Sequence, residues 1–381
     1  MKTYIKSKRI YTQSGCVSGI LVIEDGKIAE LLSYDSSVES AVEDYSNDII
    51  IPGIIDIHNH GFKGKSVCAE RTQASRDELD EYLRRLTSVG VTGVTPTATP
   101  EYFGIIADAV EQEHSGAQIL GIYSEGPFGT RVGENAAEEF DYLKPDLKLT
   151  EDFIKKARGQ LKIMSIAPEA EGADKVIDYL LSQGITVAAY HTNANFKQMK
   201  AGFDKGISLV THTGNVMTGI HHRDIGALGA ALLDEHANCE IITDFYHLCP
   251  EMLKLMFKIK DYSKFILVSD SVVLSGVEPG EYTLMANIVV TVGEDGYIRD
   301  KGGRLCGSSK YVLYGMRNLV KELGIPMERV IEMASLNPAK ILGASDTKGS
   351  IAKGKDADLA VLDADFNCLA TYVRGKLEFK V

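Results

Sequence analysis

The chain has 381 residues, of which 44% are hydrophobic, enough for one large core and a smaller appended unit. Its formal net charge of −12 argues against a binder of nucleic acid or of an anionic membrane surface. No apolar run approaches the roughly 20 residues needed to cross a bilayer. The six cysteines are scattered without a Cys-x-x-Cys pair. The sequence therefore predicts a cytoplasmic globular protein with reduced, mostly buried thiols.

The first fifty residues have the pattern of short strands joined by tight turns. Asp25-Gly26 separates two apolar runs, which is typical of a β-hairpin. The C-terminal residues have the same character, with strands expected at 358–362 and 368–373 and a turn near Gly375. We therefore predict that residues 1–51 and 344–381 form one small β-sandwich domain from both termini.

From residue 52 to residue 343, short β-branched runs alternate with helical patterns, as in repeated βα units around a parallel sheet. Eight strands, the number that a (β/α)₈ barrel requires, are predicted at 54–57, 91–95, 119–123, 163–167, 186–190, 208–211, 240–243 and 265–269. After the eighth strand, Asp295-Gly296 predicts a β-hairpin excursion within 276–307. The expected fold class is α/β, with a TIM (β/α)₈ barrel over residues 52–343.

The predicted first barrel strand runs directly into His58-Asn59-His60. Alternation along a strand sends side chains i and i+2 to the same face, so the imidazoles of His58 and His60 can converge on one point. A lone histidine is more often a surface or core residue. Two of them at the end of an apolar strand favour a metal site.

Four further residues with ligand or acid/base chemistry follow predicted strands: Glu125 the third, His191 the fifth, His212 the sixth and Asp270 the eighth. In a TIM barrel the carboxyl ends of all strands open onto one face, where active sites lie. Burying such groups costs free energy unless they are paired or metal-bound, so we predict one metal-dependent site. His247 follows the seventh strand, and both a substrate-binding role and a packing role stay open for it.

These residues lie in motifs that resemble the N-acetylglucosamine-6-phosphate deacetylases of the amidohydrolase superfamily. The resemblance covers nearly the whole chain and is carried by Pro-Gly-Ile-Ile-Asp-Ile-His-Asn-His-Gly at 52–61, Glu-Gly-Pro-Phe at 125–128, Ala-Pro-Glu at 167–169, His-Thr-Asn-Ala at 191–194, Thr-His at 211–212, His-His-Arg at 221–223, Val-Ser-Asp at 268–270, Gly-Ser-Ser at 307–309 and Asn-Pro-Ala at 337–339. It implies a hydrolase that removes the acetyl group from N-acetylglucosamine-6-phosphate, giving glucosamine-6-phosphate and acetate.

The resemblance also implies a role for each matching position. The metal ligands it implies are Glu125, His191 and His212 for the main catalytic ion, and His58 with His60 for a second ion that some members carry. One or two divalent ions per subunit are expected, and such ligands suit Zn, Fe, Mn or Co. Asp270 matches the catalytic acid/base.

Further positions match groups that contact the sugar phosphate: Asn215, Arg223, His247, Gly307 and Ser308. In the family, an arginine like Arg223 reaches into the site of the neighbouring subunit. The resemblance therefore implies a homodimer or homotetramer. The expected partner is a small-molecule amino sugar phosphate, with neither nucleic acid nor membrane.

The chain departs from the family pattern around the substrate rather than around the metal. The loop at 129–135 is shorter than in typical members, and it introduces Glu134, which would repel a nearby phosphate. N-acetylgalactosamine-6-phosphate therefore stays open as the substrate, and so does another amidohydrolase reaction such as opening a cyclic amide. A binding protein that has lost catalysis is a further alternative, although the intact ligand set argues against it.

Overall fold

The computed structural model describes residues 2–38, 40–68, 73–112, 114–133, 142–284, 289–303 and 305–381. Their strands are, in chain order, β1 (Lys2–Thr12), β2 (Gly15–Glu24), β3 (Lys27–Ser33), β4 (Val42–Asp44), β5 (Ile49–Pro52), β6 (Ile54–Asn59), β7 (Gly61–Phe62), β8 (Lys65–Ser66), β9 (Val91–Pro96), β10 (Gln118–Ile119), β11 (Ile122–Phe128), β12 (Leu161–Ile166), β13 (Thr186–Ala189), β14 (Leu209–Val210), β15 (Asn238–Ile241), β16 (Phe265–Leu267), β17 (Gly280–Thr283), β18 (Val289–Val292), β19 (Ile298–Arg299), β20 (Leu359–Leu362), β21 (Cys368–Val373) and β22 (Lys376–Lys380).

The helices of the same residues lie mostly between the parallel strands. They are α1 (Arg76–Thr87), α2 (Pro100–Val110), α3 (Leu147–Ala157), α4 (Ala173–Ser182), α5 (Phe196–Lys205), α6 (Gly226–Leu233), α7 (Pro250–Ile259), α8 (Val312–Lys321), α9 (Met327–Ile331) and α10 (Asn337–Ile341). A 3₁₀ turn at Tyr262–Lys264 and a π-helical turn at Glu332–Leu336 are also present. None of these described helices is both long and apolar enough to cross a bilayer.

Strands from both termini share one sheet, as the sequence predicts. Its order is β22-β21-β20-β5-β1-β2-β3, with β4 paired to β1, so the C-terminal hairpin adds to the N-terminal strands through β20 and β5. Asp25 and Gly26 have φ of 51° and 75°, which is the left-handed backbone that a tight hairpin turn requires. Because all these strands hydrogen-bond as one sheet, the finer description as a sandwich stays a prediction.

The predicted parallel strands are present, in two hydrogen-bonded sheets. One has the order β10-β9-β6 and the other the order β11-β12-β13-β14-β15-β16, with every neighbouring pair parallel. Isolated parallel bridges join the two sheets at Thr97 with Tyr123 and at Asn59 with Ser271. The carboxyl ends of these strands therefore lie on one side, where the predicted site residues follow them.

The third predicted strand, 119–123, is not continuous. Its backbone changes partner at Leu120 and Gly121, because the N–H of Leu120 donates to Val94 whereas the N–H of Ile122 donates to Gln160. The strand therefore divides into β10, which pairs with β9, and β11, which pairs with β12. Alternation of apolar residues gives no sign of this break, since both pieces are buried.

Both faces of the parallel strands are buried. Ile55, Ile163 and Ile266 point into one apolar cluster, while their chain neighbours Ile54, Met164 and Leu267 belong to a second, larger cluster that includes the helices. Such burial on two faces is typical of parallel sheets covered by helices. The excursion after the eighth strand is confirmed as the antiparallel strands β17, β18 and β19, with Asp295-Gly296 in the turn between the last two.

All six cysteines are free thiols. Cys68, Cys239 and Cys368 are buried, but Cys16 and Cys249 are exposed. The prediction of mostly buried thiols is therefore only half right, because exposed positions in strand and loop accept a cysteine without disulfide pairing.

Candidate metal centre

Six predicted side chains meet at the carboxyl ends of the parallel strands. The carboxylate of Glu125 is their common neighbour: its Oε1 lies 3.3 Å from His58 Nε2 and 3.2 Å from His212 Nε2, and its Oε2 lies 3.0 Å from His60 Nε2. Asp270 Oδ1 lies 3.4 Å from His58 Nε2 and 3.3 Å from His60 Nε2. Residues up to 212 positions apart in the sequence are thus brought together by strand order alone.

The ligand atoms fall into two groups that share Glu125. One group is His58, His60, Glu125 and Asp270, the other is Glu125, His191 and His212, and within each group the atoms lie within 4.8 Å of one another. The second group holds the three residues that the resemblance implies for the main ion, and the first holds His58 and His60, which it implies for a second ion. The ligand roles themselves stay a prediction.

The geometry fits a divalent cation. His191 Nε2 and His212 Nε2 lie 3.1 Å apart, so two imidazole nitrogens point at one place. His58 Nε2 is fully buried and, although it lies close to Glu125 and Asp270, it makes no well-directed hydrogen bond with a described residue. Imidazole nitrogen with carboxylate oxygen is a donor set that suits Zn, Fe, Mn or Co, and a cation between these atoms would satisfy the otherwise unpaired lone pairs.

Three of the site residues have left-handed backbone conformations. The φ angles are 32° at His191, 26° at His212 and 48° at Asp270. Non-glycine residues rarely adopt this region, and strain of this kind persists where the surrounding structure imposes it, often at active sites. Each of the three carbonyls accepts a backbone hydrogen bond, from Thr130, Asn215 and Ser308 respectively, at 2.7, 3.0 and 3.3 Å.

Opposite charges set the protonation states of the metal-free cluster. Burial disfavours the imidazolium of His58, but Glu125, Asp270 and Glu240 outweigh burial and raise the pKa of His58 well above its ordinary value. Burial also disfavours the carboxylate of Asp270, yet His58 and His60 bring its pKa to about 2. Burial, followed by the nearby His212 ring, lowers the pKa of His191 to about 3. Without a bound ion, Asp270 is therefore ionised and His191 is neutral at neutral pH.

Glu240 is a candidate functional residue that the sequence reasoning missed. It lies in β15 and is fully buried, its Oε2 is 2.8 Å from His58 Nδ1, and the same oxygen accepts from the backbone N–H of His212. A carboxylate behind a metal-binding histidine fixes the tautomer and orientation of the ring. The sequence did carry a signal for Glu240: it is a single acid inside the apolar run from Cys239 to Ile242. Because an unpaired buried carboxylate is costly, an acid in a buried strand indicates a partner.

Replacing Glu240 by glutamine is expected to weaken metal binding or activity by about 10-fold to 100-fold, because the amide is a poorer acceptor for the His58 ring. Chelator competition followed by metal analysis measures the affinity. Glu251→Gln, at an exposed position in α7, is the matched control and should behave like the unsubstituted protein. Retention of full affinity in Glu240→Gln would show that the Glu240 carboxylate does not support His58.

Glu169, in the Ala-Pro-Glu motif, joins two of the strand ends. Its Oε1 accepts from the Thr130 hydroxyl at 2.5 Å and from the Asn193 N–H at 2.6 Å, and its Oε2 accepts from the Thr192 hydroxyl at 2.6 Å. The loop after β11 is thereby tied to the residues that follow His191. A glutamate after β12 is therefore explained by these hydrogen bonds, which need two acceptor oxygens on one side chain.

The predicted substrate-binding residues lie around the cluster in different ways. Asn215 lies three residues after His212, and its side-chain amide donates to the His212 carbonyl at 3.2 Å. Ser308 is buried beside Asp270, and a Cβ at Gly307 would lie 2.5 Å from the Val272 side chain. His247 is largely buried with its Nδ1 2.8 Å from Asp244 Oδ2, so one ring nitrogen already has a partner.

Arg223 is exposed, in the loop before α6. It lines a groove of about 460 Å³ together with Asn195, Lys197 and His222. None of these groove residues belongs to the metal cluster, so contact between Arg223 and a substrate stays a prediction. Glu134, which the sequence predicts would repel a nearby phosphate, lies outside the described residues.

The fold and the histidine and carboxylate cluster define a member of the amidohydrolase family, whose pattern matches residues 49–378, and the chain belongs to that family. It is 33% identical over 367 residues to the N-acetylglucosamine-6-phosphate deacetylase of Vibrio furnissii, with 94% of this chain and 90% of that protein covered. It is 30% identical to the N-acetylgalactosamine-6-phosphate deacetylase of Escherichia coli O157:H7, with 99% of each covered. The solved structure of N-acetylglucosamine-6-phosphate deacetylase from Pasteurella multocida superposes with a TM-score of 0.89 at 25% identity, covering 99% of each chain. The resemblance seen in the motifs is confirmed.

Proposed function

We propose that this protein is a metal-dependent deacetylase that converts N-acetylglucosamine-6-phosphate to glucosamine-6-phosphate and acetate. The observation that carries the proposal is the shared Glu125, within 3.3 Å of His58, His60 and His212 and beside Asp270. Relatives that cover nearly the whole chain are deacetylases of amino sugar phosphates. A site of this composition suits hydrolysis of an amide, whose carbonyl is a poor electrophile towards water.

The metal would be held by Glu125, His191 and His212, with His58 and His60 available for a second ion. When bound, a divalent ion polarises the amide carbonyl and promotes ionisation of the attacking water. Asp270, an ionised carboxylate beside the cluster, accepts the proton from that water. Asp270 then delivers this proton to the amine nitrogen of the sugar, which would otherwise depart as an unstable anion.

The proposed architecture places this site at the open end of a barrel. Asn59 with Ser271 and Thr97 with Tyr123 form bridges at the two seams between the parallel sheets, and the Asp270 N–H donates to the His58 carbonyl. Such contacts support closure of the eight strands into a TIM barrel over residues 52–343, with 1–51 and 344–381 as the small domain. The metal ligands would then share the face on which TIM-barrel active sites lie.

A second substrate, N-acetylgalactosamine-6-phosphate, is favoured by one observation: the relative of that specificity matches this chain over 99% of both lengths. The test is a panel assay of metal-loaded protein on the two epimeric 6-phosphates and on their unphosphorylated forms. The proposal expects the highest kcat/KM with N-acetylglucosamine-6-phosphate. A higher value with the galactose epimer would transfer the assignment to that sugar, and no deacetylation of any sugar would overturn the proposed function.

Arg223 is proposed to bind the substrate phosphate, because its planar guanidinium matches two phosphate oxygens and the chain carries a formal charge of −12. A charged hydrogen bond of this kind contributes roughly 1.5 to 3 kcal/mol. Arg223→Ala is therefore expected to lower kcat/KM for the phosphorylated sugar by about 10-fold to 150-fold. Steady-state kinetics on the unphosphorylated sugar is the control, and an equal loss there would contradict the phosphate role.

We also propose that Arg223 acts in the site of a second subunit, which its exposure on one chain supports. Mixed dimers of Arg223→Ala and Asp270→Asn chains would then contain one site with both residues intact and one with both replaced. Activity above the sum of the two parents is expected. Verified heterodimers without such rescue would show that Arg223 serves its own chain or none.

A further inference from the structure

Both ring nitrogens of His191 have a close polar neighbour. Its Nε2 faces His212 Nε2 at 3.1 Å, whereas its Nδ1 lies 2.6 Å from the hydroxyl oxygen of Tyr142. Aromatic contacts fix the same arrangement, because Tyr190 stacks on the His191 ring with centroids 3.8 Å apart. Tyr142 in turn meets the ring of Tyr190 edge-on, with centroids 6.1 Å apart.

The backbone around Tyr142 is tied to the strands that carry the cluster. The N–H of Leu143 donates to the Pro127 carbonyl at 3.2 Å, and the N–H of Thr130 donates to the His191 carbonyl at 2.7 Å. Gly129 leaves room for the tyrosine, since a Cβ there would lie 2.8 Å from the Tyr142 ring. Both described ends of the segment after β11 are therefore anchored beside the cluster.

We propose that Tyr142 is a positioning residue that orients His191 as a metal ligand, an inference that rests on the metal centre proposed above. For Nε2 to offer a lone pair to the metal, the ring proton must be on Nδ1, where it is donated to the Tyr142 oxygen. An outer partner of this kind fixes the tautomer and the orientation of the ring.

The two histidines, His58 and His191, then differ in the residue that hydrogen-bonds to the ring nitrogen facing away from the metal. His58 is held by the carboxylate of Glu240, which belongs to β15, and His191 by the phenol of Tyr142, which lies shortly before α3. A phenol is a neutral and weaker acceptor than a carboxylate, so the hydrogen bond that holds His191 is expected to be weaker than the one that holds His58.

The test is Tyr142→Phe, which keeps the ring contacts and removes only the hydroxyl oxygen. Zn²⁺ binding, measured by chelator competition, is expected to weaken by about 10-fold to 100-fold, with the thermal midpoint of the metal-free protein unchanged. The visible spectrum of the Co²⁺-loaded variant should also shift, because the ligand geometry changes. Tyr45→Phe is the matched control: it removes a buried hydroxyl that lies 2.7 Å from the Tyr372 hydroxyl in the terminal sheet, and it should bind metal normally.

Unchanged affinity and an unchanged Co²⁺ spectrum in Tyr142→Phe would overturn the positioning role while leaving the proposed deacetylase intact. Equal losses in Tyr142→Phe and Tyr45→Phe would overturn it as well, because general loosening would then explain the effect. If the unsubstituted protein holds no divalent ion, the positioning role and the proposed function both fail.

Discussion

Glu125→Ala is expected to remove all tightly bound metal and all measurable deacetylase activity. The reason is that its two carboxylate oxygens contact both ligand groups, Oε1 on the side of His58 and His212 and Oε2 on the side of His60. No other described residue belongs to both groups. Elemental analysis of protein purified without added metal, combined with an acetate-release assay, measures both losses.

The remaining ligands should have graded effects. His191→Ala and His212→Ala are expected to lose the main ion together with activity, whereas replacing both His58 and His60 should lower a stoichiometry of about two ions to about one. His236→Ala, at an exposed position, is the matched control and should keep full occupancy. Full occupancy in Glu125→Ala, His191→Ala and His212→Ala would contradict the ligand assignment.

Asp270→Asn is expected to keep the fold and the metal but to lose at least about 100-fold in kcat, since general acid/base groups typically contribute 10² to 10⁴. The amide has nearly the size of the carboxylate, but it cannot take a proton from water or carry one to the leaving amine. Parallel measurement of kcat, metal content and thermal midpoint separates the loss of proton transfer from a loss of structure.

The control for this substitution is Asp77→Asn, because Asp77 is an exposed acid in the first turn of α1. It should leave kcat unchanged. If Asp270→Asn turns over substrate near the normal rate while binding metal fully, Asp270 is not the proton carrier and another group beside the cluster has that role. Loss of metal in Asp270→Asn would instead make Asp270 a necessary ligand.

The same cluster explains how an acidic chain can assemble carboxylates without a prohibitive cost. Imidazolium groups neutralise Glu125 and Asp270 in the metal-free protein, which holds the pKa of Glu125 well below its ordinary value despite burial. A divalent ion would supply the same positive charge and displace those protons.

The sequence by itself determined the strands and the first contacts of the site. Strand alternation is local, so the i, i+2 spacing placed His58 and His60 on one side, and both lie within 3.3 Å of Glu125 or Asp270. Asp25-Gly26 and Asp295-Gly296 predicted hairpins that are present, because turn conformation depends on the turn residues themselves. The motifs also predicted the family, which the relatives confirm.

Only the tertiary structure decided which groups stand behind the ligands. Glu240 and Tyr142 lie 182 and 49 positions away from the histidines that they contact, and no periodicity connects such distant residues. The interruption of the third strand at Gly121 likewise depends on which neighbouring strands lie beside it. At His191 and Asp270 the left-handed backbone accompanies carbonyl hydrogen bonds from Thr130 and Ser308, which are distant in the sequence, whereas the His212 carbonyl is bound by the nearby Asn215. Local residue preference opposes this conformation at all three positions.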